Sequence, residues 1–193
     1  MNTIKNLKTK FQIKVDQTGD AFRDLVARYN FLLDFFMQIG NVLMVGEKNP
    51  QESRQHRKVF FNTIRKNIDA VVGVEKKYRV NYQDVAISFG SLPAPLPLSV
   101  EFLSKKLVLI TWENQPHEYA DKNRLVYVLQ YNASKKDSFI WYYNCEVEDD
   151  CAEFRFEENQ YGDEVHFWVF FMTMDGKQKS NSTYIGQIRP LSN

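Results

Sequence analysis

Two cysteines, three histidines and one acidic run are the residues that could do chemistry in this 193-residue chain. Cys145 and Cys151 flank a probable hairpin turn. An oxidant could bridge them, whereas a reducing compartment keeps both as thiols. Two thiols supply half a zinc site, and no histidine stands at finger spacing from them. His56 falls in a basic helical stretch, His117 in a loop and His166 inside a strand pattern. A pair of His166 with Cys145 or Cys151 would make an activated thiol, but a hairpin turn is a poor place to exclude water. Glu146, Glu148, Asp149 and Asp150 lack the ligand spacing of a calcium loop, so they read as a solvated turn. No G-x-S-x-G, H-E-x-x-H, Walker or G-x-G-x-x-G pattern occurs. The expectation is therefore no catalytic residue, no cofactor and no metal: a chain that is not an enzyme.

Any function must then rest on surfaces, and composition bounds them. Apolar residues at 44% and charged residues at 25% exclude a disordered chain. Aromatics at 15% favour a β-rich core. Net charge is +1, which gives no bulk attraction for nucleic acid. The charge is divided, however. Residues 1–100 carry fifteen Lys+Arg against nine Asp+Glu, and residues 101–193 carry ten against fifteen. Such a division suits head-to-tail contact between copies or an acidic partner, and two ordinary solvated surfaces would also produce it. The first residues, Met1 to Lys10, lack the apolar core of a signal peptide, and no apolar run is long enough to span a membrane. The expected location is the cytoplasm, or a virion assembled there.

The elements that position these residues read as follows. Ile4, Leu7, Phe11, Ile13 and Val15 alternate weakly, as an N-terminal arm or strand would. From Ala21 to about Val45 the apolar residues recur at three- and four-residue steps, predicting a helix capped by Thr18 or Asp20. Phe31, Phe35, Met37 and Met44 widen its apolar surface beyond one stripe. Either it is a central core helix, or a neighbouring subunit shares it. Asn49-Pro-Gln-Glu52 is a helix start, and the second helix is expected to run to Val72 and stop at Gly73. Arg54, Arg57, Lys58, Arg65 and Lys66 give it a basic face. Lys76 to Phe89 alternates like a strand. Gly90-Ser-Leu-Pro-Ala-Pro-Leu-Pro97 cannot be a helix or a central strand. Seven short strands follow: 98–103, 107–112, 124–131, 138–144, 152–156, 165–172 and 180–188. Polar turns separate them, as a small antiparallel sandwich requires.

The second half resembles fibronectin type III domains. The matching features are Trp112 in the second strand, the run Val165-His-Phe-Trp-Val-Phe-Phe171, and Asp175-Gly176 before a Ser-rich last strand. Residues from about 30 onward also resemble an uncharacterised family of small proteins found in Bacteroidota. Val80 to Ser88, Gly90 to Pro93, Leu109 to Trp112, Leu125 to Tyr131, Asp163 to His166 and Asp175 to Gly186 carry this second likeness. That family opens with a glycine-rich segment, where this chain has only Gly19 before residue 21. Neither resemblance implies a reaction.

These readings predict an α+β protein: a helical hairpin with an N-terminal arm and accessory strands at 1–97, and a seven-stranded immunoglobulin- or fibronectin III-like β-sandwich at 98–193. The expected role is structural or assembly work without catalysis, with self-association into a homo-oligomer or a larger multi-copy structure such as a phage-like particle. Other protein partners fit this role, while nucleic acid and membrane insertion are not indicated. A carbohydrate-binding or adhesive module is the alternative, and an uncharacterised enzyme a further one. The residues expected to carry contacts between copies are Phe31, Phe35, Met37, Met44, Arg54, Arg57, Lys58, Arg65 and Lys66.

Overall fold

The structure is a computed structural model that describes residues 19–43, 53–74, 77–104, 107–113, 123–146, 150–155 and 162–189. The arm at 4–15, the helix start at 49–52 and the acidic turn at 147–149 lie outside the described residues.

Two antiparallel sheets pack face to face. One holds β3 (Leu96–Ser104), β4 (Leu107–Glu113) and β7 (Cys151–Arg155), in the order β3-β4-β7. The other holds β5 (Asn123–Asn132), β6 (Asp137–Glu146), β8 (Val165–Thr173) and β9 (Thr183–Ile188), in the order β6-β5-β8-β9. A period of two sends alternate side chains inward. Val108, Ile110 and Trp112 of β4 and Phe154 of β7 thus meet Val126 and Val128 of β5 and Phe167, Val169 and Phe171 of β8. Trp112 is fully buried between the sheets, 6.1 Å from the Phe171 ring. This is an antiparallel β-sandwich. Pro97 does no damage to it. It lies on an edge strand, where the register slips between Pro97 and Ser99.

The outer face of the four-stranded sheet is also covered. α1 (Asp20–Gln38) lays Leu32, Phe35 and Phe36 against Leu129 and Tyr131 of β5 and Trp168 and Phe170 of β8. A short turn of helix, α2 (Gly40–Leu43), adds Val42 and Leu43, and α3 (Ser53–Lys66) adds Ile64. α1 and α3 touch through the stacked rings of Tyr29 and Phe61. This core joins residues from both sides of position 97.

Three elements differ from the sequence reading. The first helix ends at Gln38, and its N-cap is Gly19 with no side-chain cap. The second helix stops at Lys66, six residues early. The cause is the next residue. Asn67 is buried, and its amide nitrogen donates to Thr63 O and Ala86 O at 2.8 Å each, while its oxygen accepts from Ala86 N at 2.7 Å. The third difference is Lys76–Phe89, where the strand is only β2 (Arg79–Val80), paired with β1 (Val71–Val72). A 3-10 turn at Tyr82–Asp84 follows, and then a strap, residues 85–92, with no ladder of its own.

Side chains hold the strap instead. Besides Asn67, Ser182 Oγ accepts from Ile87 N at 2.8 Å, Ser88 Oγ donates to Ser180 O at 2.8 Å, and Trp168 Nε1 donates to Val85 O at 2.9 Å. Leu92 N donates to Lys179 O at 3.1 Å. That approach is so close that a Cβ on Gly90 would stand 1.7 Å from Lys179 O.

Two outcomes test this packing. Trp112→Ala should lose about 3–5 kcal/mol in urea unfolding, because it empties the centre of the inter-sheet core. Gly90→Ala adds one methyl at the surface, yet should cost about 2 kcal/mol or more, since backbone must move to admit it. A loss below about 0.5 kcal/mol at either position contradicts the corresponding contact.

Candidate functional site

The helices pack with β5 and β8 on the outer sheet face and leave a gap towards β9. Tyr82, held on its 3-10 turn, fills part of the gap. The turn closes with Asp84 N donating to Asn81 O and Val85 N to Tyr82 O, while Asn81 Nδ2 reaches Asp84 at 2.6 Å. The Tyr82 ring then lies 4.0 Å from the ring of His166, and 5.7–5.8 Å from Tyr131 and Phe35.

His166 is buried on β8 and uses both ring nitrogens. Nε2 lies 2.9 Å from Glu164 Oε1, and Nδ1 lies 3.0 Å from the Tyr184 hydroxyl. A carboxylate only accepts, so Nε2 carries the proton and Nδ1 accepts from Tyr184. Arg189 holds the other Glu164 oxygen at 3.1 Å. Burial lowers the His166 pKa, and the hydrogen bond and charge of Glu164 oppose that only in part. The imidazole is therefore neutral at pH 7. Burial, helped by Glu164 and Tyr82, pushes Tyr184 up to about 12. The result is a relay of neutral groups ending on one carboxylate.

Beside this relay opens a cleft of about 890 Å³. Phe31 of α1, Tyr78, Tyr82 and Tyr184 give it aromatic surface, and Arg79, Asn81, Gln83, Glu164 and Gln187 give it polar surface. Its β1–β2 side is fixed to α1. The Tyr78 hydroxyl donates to Asp24, Arg28 pairs with Asp24 at 2.6 Å, and Arg28 also donates to Val71 O. These bonds, Tyr78 first, keep Asp24 below the usual carboxylate range.

The structure separates the residues expected to carry contacts between copies. Phe35 is 4% exposed, packed on Phe36 and Tyr131 with ring centroids at 5.0 Å. It belongs to the core, so a charge there would unfold the chain rather than report an interface. Phe31 is exposed at the cleft, and Met37 is half-buried. Met44 lies outside the described residues, as do the side chains of Arg54 and Arg57. Lys58, Arg65 and Lys66 are exposed on α3, and Lys66 Nζ sits 4.0 Å over the Phe89 ring. His166 pairs with neither cysteine: Cys151 is exposed on the other sheet, and the Cys145 side chain lies outside the described residues.

Sequence reasoning passed over Tyr82, Glu164 and Tyr184. One signal was present. His166 is the one polar residue in the apolar run from Val165 to Met172, and a buried imidazole needs partners at both nitrogens. Glu164, two residues earlier, is placed to be one of them. Among the described residues no three His, Cys, Asp or Glu side chains gather as a metal site, and no helix is long and apolar enough to cross a membrane.

A family model described as a family of unknown function (DUF6266) matches residues 2–186. No curated protein matches the chain. Among solved structures, the chain is similar to the fn3 domain of human collagen alpha-1(XX) chain, at 15% identity and a TM-score of 0.37, covering 55% of this chain and 87% of that one. It is also similar to the fn3 domain of human contactin 1, at 12% identity and a TM-score of 0.36, covering 55% and 85%.

The relay sets a pH dependence. The His166 pKa in the folded chain is below its ordinary 6.5, so the unfolded chain binds the proton first as pH falls. Stability should be level above about pH 7 and decline as pH drops through 6.5 towards the lower folded value. His166→Gln should be less stable at neutral pH and lack that decline. Thermal melts from mildly alkaline pH to about pH 5 check this, and equal slopes for both proteins would refute it.

Proposed function

The chain belongs to DUF6266, a family of unknown function, and from that premise we propose that it is a non-enzymatic binding module whose recognition site is the cleft. In this reading the two sheets are one seven-stranded sandwich and α1 with α3 is a helical hairpin laid on it. One observation carries the proposal: the chemically able groups beside the cleft are spent on each other. His166 offers neither nitrogen to a ligand, Glu164 is divided between His166 and Arg189, and Tyr184 keeps its proton. Such a site binds by shape, stacking and hydrogen bonds rather than by proton transfer.

The lining favours a neutral ligand rich in hydroxyl groups, such as a saccharide. Asn81, Gln83 and Gln187 are exposed amides, each with donors and an acceptor, which match hydroxyls of either role. Phe31, Tyr78 and Tyr82 offer ring surface for the apolar faces of sugar rings. The volume falls within the roughly 300–1,000 Å³ of ordinary ligand sites.

A second reading is self-association within a multi-copy structure such as a phage-like particle. The outer edge of β6, which pairs with no strand among the described residues, favours it.

A glycan array followed by calorimetry tests the first reading. A neutral oligosaccharide should bind, and Phe31→Ala or Gln187→Ala should weaken it about tenfold while leaving the melting curve in place. Absence of binding by any glycan, or binding indifferent to both changes, would refute the saccharide site.

A further inference from the structure

Tyr184 stands where the relay meets the cleft. It is half-buried on β9 and lines the cleft. Among the described residues its hydroxyl has one hydrogen-bond partner, His166 Nδ1 at 3.0 Å. A hydroxyl has one proton to give and two lone pairs with which to accept. Which of these Tyr184 spends is decided further along the relay. Arg189 holds Glu164 Oε2 at 3.1 Å, and Glu164 Oε1 takes the Nε2 proton of His166 at 2.9 Å. The neutral ring then keeps a bare lone pair on Nδ1, and Tyr184 must donate to it. Its proton is committed, and only lone pairs remain to it for any further contact.

We infer that Tyr184 is a specificity-determining residue of the cleft: it accepts a hydrogen bond from a ligand hydroxyl and discriminates against a group that can only accept, with His166 as the positioning residue that fixes this polarity. The inference rests on the saccharide reading and deepens it. Asn81, Gln83 and Gln187 select in no such way, because each amide both donates and accepts. Tyr78 is committed in the same sense as Tyr184, since its hydroxyl donates to Asp24, but Asp24 is held below the usual carboxylate range and stays an acceptor. Tyr184 differs because its partner can change sign. Around the imidazole stand Glu164 before it on β8, Tyr184 on β9, Tyr131 opposite it on β5 and Tyr82 over its face, with Arg189 behind Glu164 and Arg79 in the cleft lining. Burial keeps the three phenols protonated, so acid reaches Tyr184 through the ring. A protonated imidazole carries hydrogen on both nitrogens. Nδ1 then donates, Tyr184 must accept, and its own O–H is released. In acid the same hydroxyl reads the opposite group.

The experiment is calorimetry of the full chain with maltose, cellobiose and lactose, each free and with one hydroxyl at a time replaced by fluorine, which fills the same place and cannot donate. At mildly alkaline pH, fluorine at one position of a bound sugar should weaken binding about tenfold. That penalty should vanish in Tyr184→Phe and persist in Gln187→Ala. It should also shrink as pH falls through the range in which His166 takes up its proton. Two-bond proton–nitrogen NMR of the ring gives that range directly, and should show the neutral ring with its hydrogen on Nε2. The pH profile and the tautomer are read on the wild-type chain, so they decide the matter whether or not Tyr184→Phe folds. No fluorine penalty, a penalty that survives Tyr184→Phe, or one that is level across the titration of His166 would overturn this inference and leave the saccharide reading standing. A neutral ring with its hydrogen on Nδ1 would overturn it as well, because Tyr184 would then have its own proton to offer. Absence of binding by all three sugars would overturn it too, while the glycan array decides the saccharide reading separately.

Discussion

The burial of β8 on both faces is the constraint on which this structure depends. All nine residues from Val165 to Thr173 are shielded from water. A sheet with one wet face would alternate apolar and polar residues, and β8 does not. Its odd positions, Val165, Phe167, Val169 and Phe171, need the β3-β4-β7 sheet, and its even positions Trp168 and Phe170 need the outer layer of helices, strap and Tyr82. Without that outer layer, a fully buried tryptophan and a phenylalanine would face water. At roughly 25 cal/mol per Å² of apolar area and 150–250 Å² per aromatic side chain, that is several kcal/mol for two residues. The sandwich and the helices thus share one energetic problem, and α1 cannot be detached without exposing the second core.

The strap solves the problem that this layering creates. The chain must pass from the helical layer to the first strand of the sandwich across buried surface, and buried backbone must find hydrogen bonds. Asn67, Ser182 and Asn181 supply them at 86, 87 and 90, in place of a neighbouring strand. Trp168 is tied in the same way, its indole N–H ending on Val85 O. One side chain therefore fills the outer core and fixes the segment that crosses it.

Much of this is legible in the sequence where the controlling interactions are local. The strands of the second half are placed to within a few residues by apolar alternation and turn residues, and Trp112 is where its spacing puts it. The wide apolar surface of α1 correctly demands cover on more than one side. What covers Phe35 is Tyr131 and Tyr82, which stand 96 and 47 positions further along the chain, and periodicity cannot supply such partners. The strap looks like a strand because Val85 and Ile87 alternate towards the core. Its hydrogen bonds come from side chains 19 and 95 residues away, which no local pattern reveals. The early stop of α3 has the same origin: Asn67 serves the strap instead of the helix.

The cleft follows from the same mismatch of layers. At the β8–β9 end the sheet is finished by the 3-10 connector that carries Tyr82. A fully apolar finish would have closed the surface. Here the sheet places a histidine at that end, and an imidazole without partners would be costly to bury. Glu164 and Tyr184 remove that cost from within the sheet, and the Tyr82 ring covers the imidazole from the connector. The groups that make the site look reactive are therefore the ones that allow the sheet to end there. What remains open to a ligand is the rim: aromatic faces and amides fixed by the β1–β2 turn, whose position Asp24 and Arg28 of α1 determine. Recognition falls on the seam between the helical layer and the sandwich because that seam is where neither layer covers the other.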